Sequence, residues 1–298
     1  MSLILLGYLL IGGYLLMRLK PTDSERDGLG LDLAVQVARW KSDFGRDDYP
    51  LRAPWRLPAE YWLFAWAPSL IVARCAALVV SCGAVWVTML YATSLGGPRA
   101  GIVAGVIVLC SPQLVGVLVT ASYVAPVSLL WVGGLYALHT GHPVIAAYCG
   151  VALSLLRATS WGQAIILWTM TSPIAIPLMG AFIWWYHPNV VRAQGWWKLI
   201  RREPVGLQNW PQDGWGYAAR ILVKRYESWV PCVLLAGVLV EVQGPKVEYV
   251  LGLLLVSLIG FGVTHFPRTL FRPKWAVGYL PEWLLPVAVA LGVALGGT

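Results

Sequence analysis

The residues best equipped for chemistry lie in one short stretch, FGRDDYPLRAPWRLPAEYW at positions 44–62, which gathers Arg46, Asp47, Asp48, Arg52, Arg56 and Glu60 around Pro50, Pro54 and Pro58. Carboxylates beside guanidiniums suit two needs of a group transfer, a general base near an acceptor and positive charge at a departing phosphate. Arg46, Arg52 and Arg56 can each grip a phosphate through two parallel hydrogen bonds, which lysine does less well. A plainer use competes with this one: Asp47 and Asp48 also suit turn hydrogen bonds and ion pairs with their arginine neighbours. Upstream, Asp27 precedes Gly28 and fits either a base or a simple turn or helix cap.

Such a cluster is exceptional in a chain of 298 residues that is 58% apolar and 12% charged, with a mean hydropathy of +0.67. That composition excludes the soluble classes and predicts an all-α, polytopic transmembrane helical bundle forming a single integral membrane domain over 1–298. Crossing a hydrocarbon core takes roughly 20 residues, and nine spans are predicted, near 2–19, 68–94, 101–119, 121–138, 143–156, 161–186, 230–243, 247–264 and 275–296. The first run has no basic residue ahead of it and no small-residue cleavage site behind it, so it reads as a retained span. Its pair Gly12 and Gly13 reads as a close helix contact.

Polar residues concentrate in two long connections. The one at 187–229 carries Arg192, Lys198, Arg201, Arg202, Arg220, Lys224 and Arg225 with Trp196, Trp197, Trp210 and Trp215, the signature of a basic cytoplasmic segment lying on the interface. Nine spans then put the N-terminus in the cytoplasm and the connection at 20–67 outside the cell's inner (plasma) membrane. Within the latter, Leu29, Leu33, Val37 and Trp40 fall at helical spacing and predict an amphipathic helix on the membrane surface. The three prolines that follow force an extended or turning path. The net charge of +8 sits in loops between spans, where anionic membrane lipids are the partners and nucleic acid is not.

Two further arginines interrupt apolar runs. Arg74 in IVARCAALVV and Arg157 in LSLLRATSW each must reach the interface or find a phosphate or carboxylate partner, because an unpaired guanidinium within a span costs several kcal/mol. Five cysteines without a CxxC pair and four scattered histidines give no disulfide framework, zinc site or haem ligation. Cys75 and Cys82 read as small buried residues on one helix face, and His139, His142, His187 and His265 as polar tips of spans.

The order of these features, Asp27 in RDGLGLDLAVQVA, then DDYPLRAPWRLPAEYW, then Arg74, followed by YATSLGGPRAGIVAGVIVLCSP and by HPVIAAYCGVALSLLRATSW with Arg157, resembles the GT-C superfamily of polytopic glycosyltransferases. The similarity covers roughly residues 1–175 and lies in layout more than in strict motif. It implies extracytoplasmic catalysis, a polyprenyl-phosphate-linked sugar as donor, and inverting transfer to an acceptor hydroxyl or amide. Asp27 matches the carboxylate that follows the first span in that family, where it acts as general base or holds a metal. Asp47 and Asp48 match no fixed position and stand as a local second choice. Basic residues meet the donor phosphate in the family, which implies this role for Arg46, Arg52, Arg56, Arg74 and Arg157.

The chain departs from the pattern between its third and fourth spans. Many members carry a second acidic residue there, but SPQLVGVLVTASYVAPVSLL has none. Ser122 and Tyr123 stand in its place, Tyr123 as a substrate contact. A divalent cation (Mg or Mn) held by two carboxylates is therefore not expected, and no metal ligand is assigned. An alternative follows: a non-catalytic GT-C-like subunit scaffolding a larger complex with other membrane subunits. A transporter would need paired intramembrane acids or broken helices in matching halves, and only Pro173 and Pro177 hint at one. GxGxxG, GxxxxGK[ST] and GxSxG are absent.

Overall fold

The computed structural model describes residues 1–19, 63, 66–156, 160–178, 181, 252 and 281–297. Both long polar connections and the predicted spans at 230–243 and 247–264, apart from residues 63, 66, 67 and 252, lie outside them. Among the described residues the protein is all-helical, without a strand. In chain order the helices are α1 (Ser2–Arg18), α2 (Leu70–Gly96), α3 (Pro98–Leu109), α4 (Pro112–Leu118), α5 (Val124–His139), α6 (Pro143–Leu156), α7 (Trp161–Thr171) and α8 (Pro281–Gly296).

Local signals set these boundaries. Ser69 caps α2 by accepting the Val72 N–H at 3.3 Å. A single residue turns α2 into α3: Gly97 at φ +84° ends one helix, and Pro98 opens the next at a position where its missing N–H costs nothing. Gly141 at φ +76° does the same between α5 and α6. There the Gly141 N–H reaches Leu138 O (3.2 Å) and the His142 N–H reaches Ala137 O (2.8 Å), the paired bonds of a Schellman turn. Pro143 then starts α6.

Among the described residues only α2 is long and apolar enough to cross a membrane, with 27 residues and a length of about 40 Å. Helix α6 coincides with its predicted span at 143–156, and α1 and α5 end within a few residues of theirs. The run at 101–119 is not one helix but two, α3 and α4, because Pro112 cannot donate into a continuing ladder. Helix α7 stops at Thr171, short of the expected 186; Ser172 leaves the helical conformation, Pro173 follows, and residues 175–178 are helical again. Outward faces are apolar: Leu3, Met17, Val79 and Tyr148 are all more than two-thirds exposed. Cys75 is exposed and Cys82 half-buried, so they do not share the buried face expected of them, and both are free thiols.

The core is built by close approach of small residues. Helix α8 lies on α3, where a β-carbon on Gly292 would fall 2.6 Å from Ala100 O and one on Gly296 2.9 Å from Arg99 O. On its other side α3 offers Gly101 to Thr93 and Gly105 to Met89 of α2. Helix α1 seats a four-residue stripe, Ile4, Tyr8, Gly12 and Leu16, in the groove between α2 and the α3–α4 pair. Gly12 faces Leu78 and Val119, whereas Gly13 faces nothing within 4 Å. Only half of the glycine pair thus serves packing. Gly292→Val should lower stability in detergent by about 1–3 kcal/mol because the backbone it meets cannot yield. Gly13→Ala should raise it by up to about 1 kcal/mol through helix propensity alone, and thermal unfolding of both variants measures the contrast.

Candidate functional site

Helix α1 ends where α2 begins, and the two are joined by Arg74. Its Nη1 donates to Leu16 O at 2.9 Å and to Leu19 O at 2.8 Å, while the residue is 4% exposed. The last carbonyls of a helix have no partner within it and carry partial negative charge, so a guanidinium from elsewhere both pairs and neutralises them. The helix cannot do this for itself: Arg18 lies over the Tyr14 ring, 5.8 Å from its centroid. The partners of Arg74 given by these bonds are therefore backbone carbonyls, where the sequence had suggested the interface, a phosphate or a carboxylate.

The bond fixes a junction. Leu19 ends α1 beside this guanidinium, and Ala67, just ahead of α2, packs with Ala73, the neighbour of Arg74. Trp66 is tied back to Leu63 O at 3.1 Å. Beside this junction lies the turn between α4 and α5, since Ala121 packs with Ala67 and Ala73. Thr120 Oγ1 donates to Val117 O (2.6 Å) and lies 3.1 Å from Ser122 Oγ, which in turn accepts the Val124 N–H at 3.4 Å. Tyr123 precedes α5 as its N-cap and is buried. Arg74 and Tyr123, the two described members of the predicted site, thus belong to one end of the bundle.

Helices α5 and α7 also start at this end, because each runs antiparallel to α6 across a short connection. Trp161 Nε1 donates to Ser154 O at 3.0 Å and pins the first turn of α7 to the last turn of α6. Asp27, Asp47, Asp48, Arg46, Arg52, Arg56 and Arg157 lie outside the described residues. No family model, curated protein or solved structure matches the chain.

Among the described residues no group of three His, Cys, Asp or Glu side chains could hold a metal. The turn at 120–123 offers hydroxyls and no carboxylate, a poor donor set for a divalent cation. Sequence reasoning missed a set of buried polar side chains at the same end: Ser128 on α5, and Ser160 and Gln163 at the start of α7, all 0% exposed. The pattern S-x-x-Q at 160–163 was the available signal.

At the opposite end Tyr91 meets Tyr136 and His139 with ring centroids 5.8 and 5.5 Å apart. It is an aromatic packing cluster beside the α5–α6 turn. Replacing Arg74 by Leu should destabilise the protein by on the order of 2 kcal/mol, the worth of hydrogen bonds to a charged donor. Lysine should restore less than half, since one ammonium lacks the planar fork. Thermal unfolding, with the rate of proteolytic cutting within 20–62 as a second readout, checks both.

Proposed function

We propose that the chain is a polytopic membrane protein of nine spans, a GT-C-like glycosyltransferase that moves a sugar from a polyprenyl-phosphate donor to an extracytoplasmic acceptor. The supporting observation is the junction at Arg74. It ties the end of α1 to the start of α2, beside the hydroxyl-bearing turn at 120–123 and at one end of a helix able to cross the bilayer. A lipid-borne phosphate lies at that depth, and a connection rooted there has its acids and arginines within reach of it.

In this reading Asp27 takes the proton from the acceptor as its oxygen attacks the anomeric carbon, and the bond to phosphate oxygen breaks on the opposite face. Asp47 or Asp48 is the local substitute for that base. Arg46, Arg52, Arg56 and Arg157 meet the charge that grows on the leaving phosphate. Arg74 positions the connection through the end of α1, and Tyr123 borders the same space. No step runs through a metal. The membrane is the inner (plasma) membrane and the N-terminus is cytoplasmic.

A second reading, a non-catalytic subunit that scaffolds other membrane subunits, draws support from the missing acid between α4 and α5. Native mass spectrometry of protein in mild detergent separates the two. The first reading expects a bound polyprenyl phosphate, or its glycosylated form, on both wild type and Asp27→Asn, with sugar transfer falling by about 100-fold or more in the variant. Stoichiometric partner subunits without such a lipid would establish the scaffold instead.

A further inference from the structure

The apolar outline of the bundle differs from flank to flank. On one side stands α2, a helix of 27 residues and about 40 Å, whose outward residues Ile71, Val79 and Trp86 are apolar and exposed. On another stand α6 and α7, which turn Val144, Ile145, Tyr148, Ile165 and Met170 outward. Helix α6 has 14 residues and measures about 21 Å, whereas a hydrocarbon core is about 30 Å thick.

Packing fixes where the missing length falls. A β-carbon on Gly134 of α5 would lie 3.3 Å from the Cys149 β-carbon of α6, and one on Gly83 of α2 would lie 3.9 Å from the Leu129 methyl groups of α5. Since α5 and α6 run antiparallel, Leu129 is level with Ser154, and Gly83 with both. The bond from Trp161 Nε1 to Ser154 O, 3.0 Å long, brings the start of α7 to that level. The chain thus turns back from α6 into α7 beside Gly83, while α2 continues about 20 Å further to its start at Leu70. At the other end the outline is flush. Tyr91 of α2 meets His139 in the last turn of α5, and Arg99 and His142 are exposed beside the turns there, marking a membrane surface. The shortfall of roughly 9 Å therefore lies where α6 turns into α7.

The residues at that reversal are those of a headgroup layer and not of a membrane interior. Trp161 is half-buried, with its ring at the turn and its N–H on a carbonyl, and tryptophan anchors helices at the water interface. Arg157 follows α6 directly in the sequence, and a guanidinium is tolerable beside headgroups and costly in the core. A bilayer meets a short apolar helix by thinning around it.

We infer that the membrane is thinned along the flank of α6 and α7, so that lipid headgroups on the junction side come down to the level of Trp161 while α2 meets a core of ordinary thickness. The partner is phospholipid whose acyl chains are short or disordered enough to cover about 21 Å. The inference rests on the reading of the chain as a membrane protein and is independent of sugar transfer.

Spin labels on cysteines placed at Leu155 and Val79 test it in the full chain, with the native cysteines replaced by alanine, in vesicles of dioleoyl phosphatidylcholine. Leu155 is half-buried and continues the outward stripe of Tyr148, and Val79 lies one turn nearer the start of α2 than Gly83 does. In a flat bilayer Val79 is the closer of the two to the junction-side surface. Thinning reverses the order: the Leu155→Cys label should meet a water-soluble nickel chelate at least twice as often as the Val79→Cys label, which dissolved oxygen should reach instead. Wild type should also melt progressively lower as the vesicles pass from dimyristoleoyl to dioleoyl to dierucoyl phosphatidylcholine, because a thicker core must be thinned further. That series decides the matter by itself if the cysteine-free chain does not fold. The inference falls if Val79 is the site nickel reaches more often. It falls equally if nickel reaches Leu155 but wild type melts alike in all three lipids, since water would then enter through a recess within the protein. Protein that stays in solution without detergent and does not float with vesicles would overturn the membrane reading, and this inference with it.

Discussion

A guanidinium meeting the end of a helix governs this end of the molecule. Leu16 and Leu19 present carbonyls that no residue of α1 can satisfy, in apolar surroundings where water is scarce. Arg74 answers from the second turn of α2, and the exchange benefits both sides: the carbonyls gain donors, and the buried charge gains an opposing partial charge. Neither group would be tolerable alone. Because the partners are 55 and 58 positions away, one side chain ties the end of α1 to the start of α2.

The bundle itself obeys another constraint. Small residues let helix backbones come close, so contact here comes from shape. Helix α3 shows how sequence meets this need, with Ala100 and Ala104 toward α8 and Gly101 and Gly105 toward α2 and α1. Each β-carbon left out lets a backbone come nearer, and the summed dispersion of many near atoms holds the helices. Some large side chains, Leu3 and Met17 among them, turn outward, while Tyr8, Met89 and Trp131 are fully buried.

Much of this fold was legible, and the failures have physical causes. Hydropathy located α1, α2, α5 and α6 within a few residues. It could not separate α3 from α4, because the run from 101 to 119 is apolar throughout while the break at Pro112 is a matter of one absent N–H. The same lack of a donor shortens α7 at Pro173. Arg74 was conspicuous as a charge in a span, but its partner was not, since backbone carbonyls leave no trace in composition. Gly12 and Gly13 look alike on paper and differ only in which way the helix turns them. The Ser160–Gln163 spacing was readable, yet it sits in an apolar run where a capping pattern draws no notice. The acids and arginines of the 20–67 connection were legible as a cluster, and their geometry lies outside the described residues.

The seat of α8 on α3 has a meaning in time. A chain is synthesised from its N-terminus, so α3 exists long before Gly292 and Gly296 do. During that interval Ala100 and Ala104 line a trough with no occupant, wide enough for any helix with small residues at the right spacing. Assembly is thus least protected in its middle stage, and the helix that completes the bundle is also the one that evicts substitutes from it.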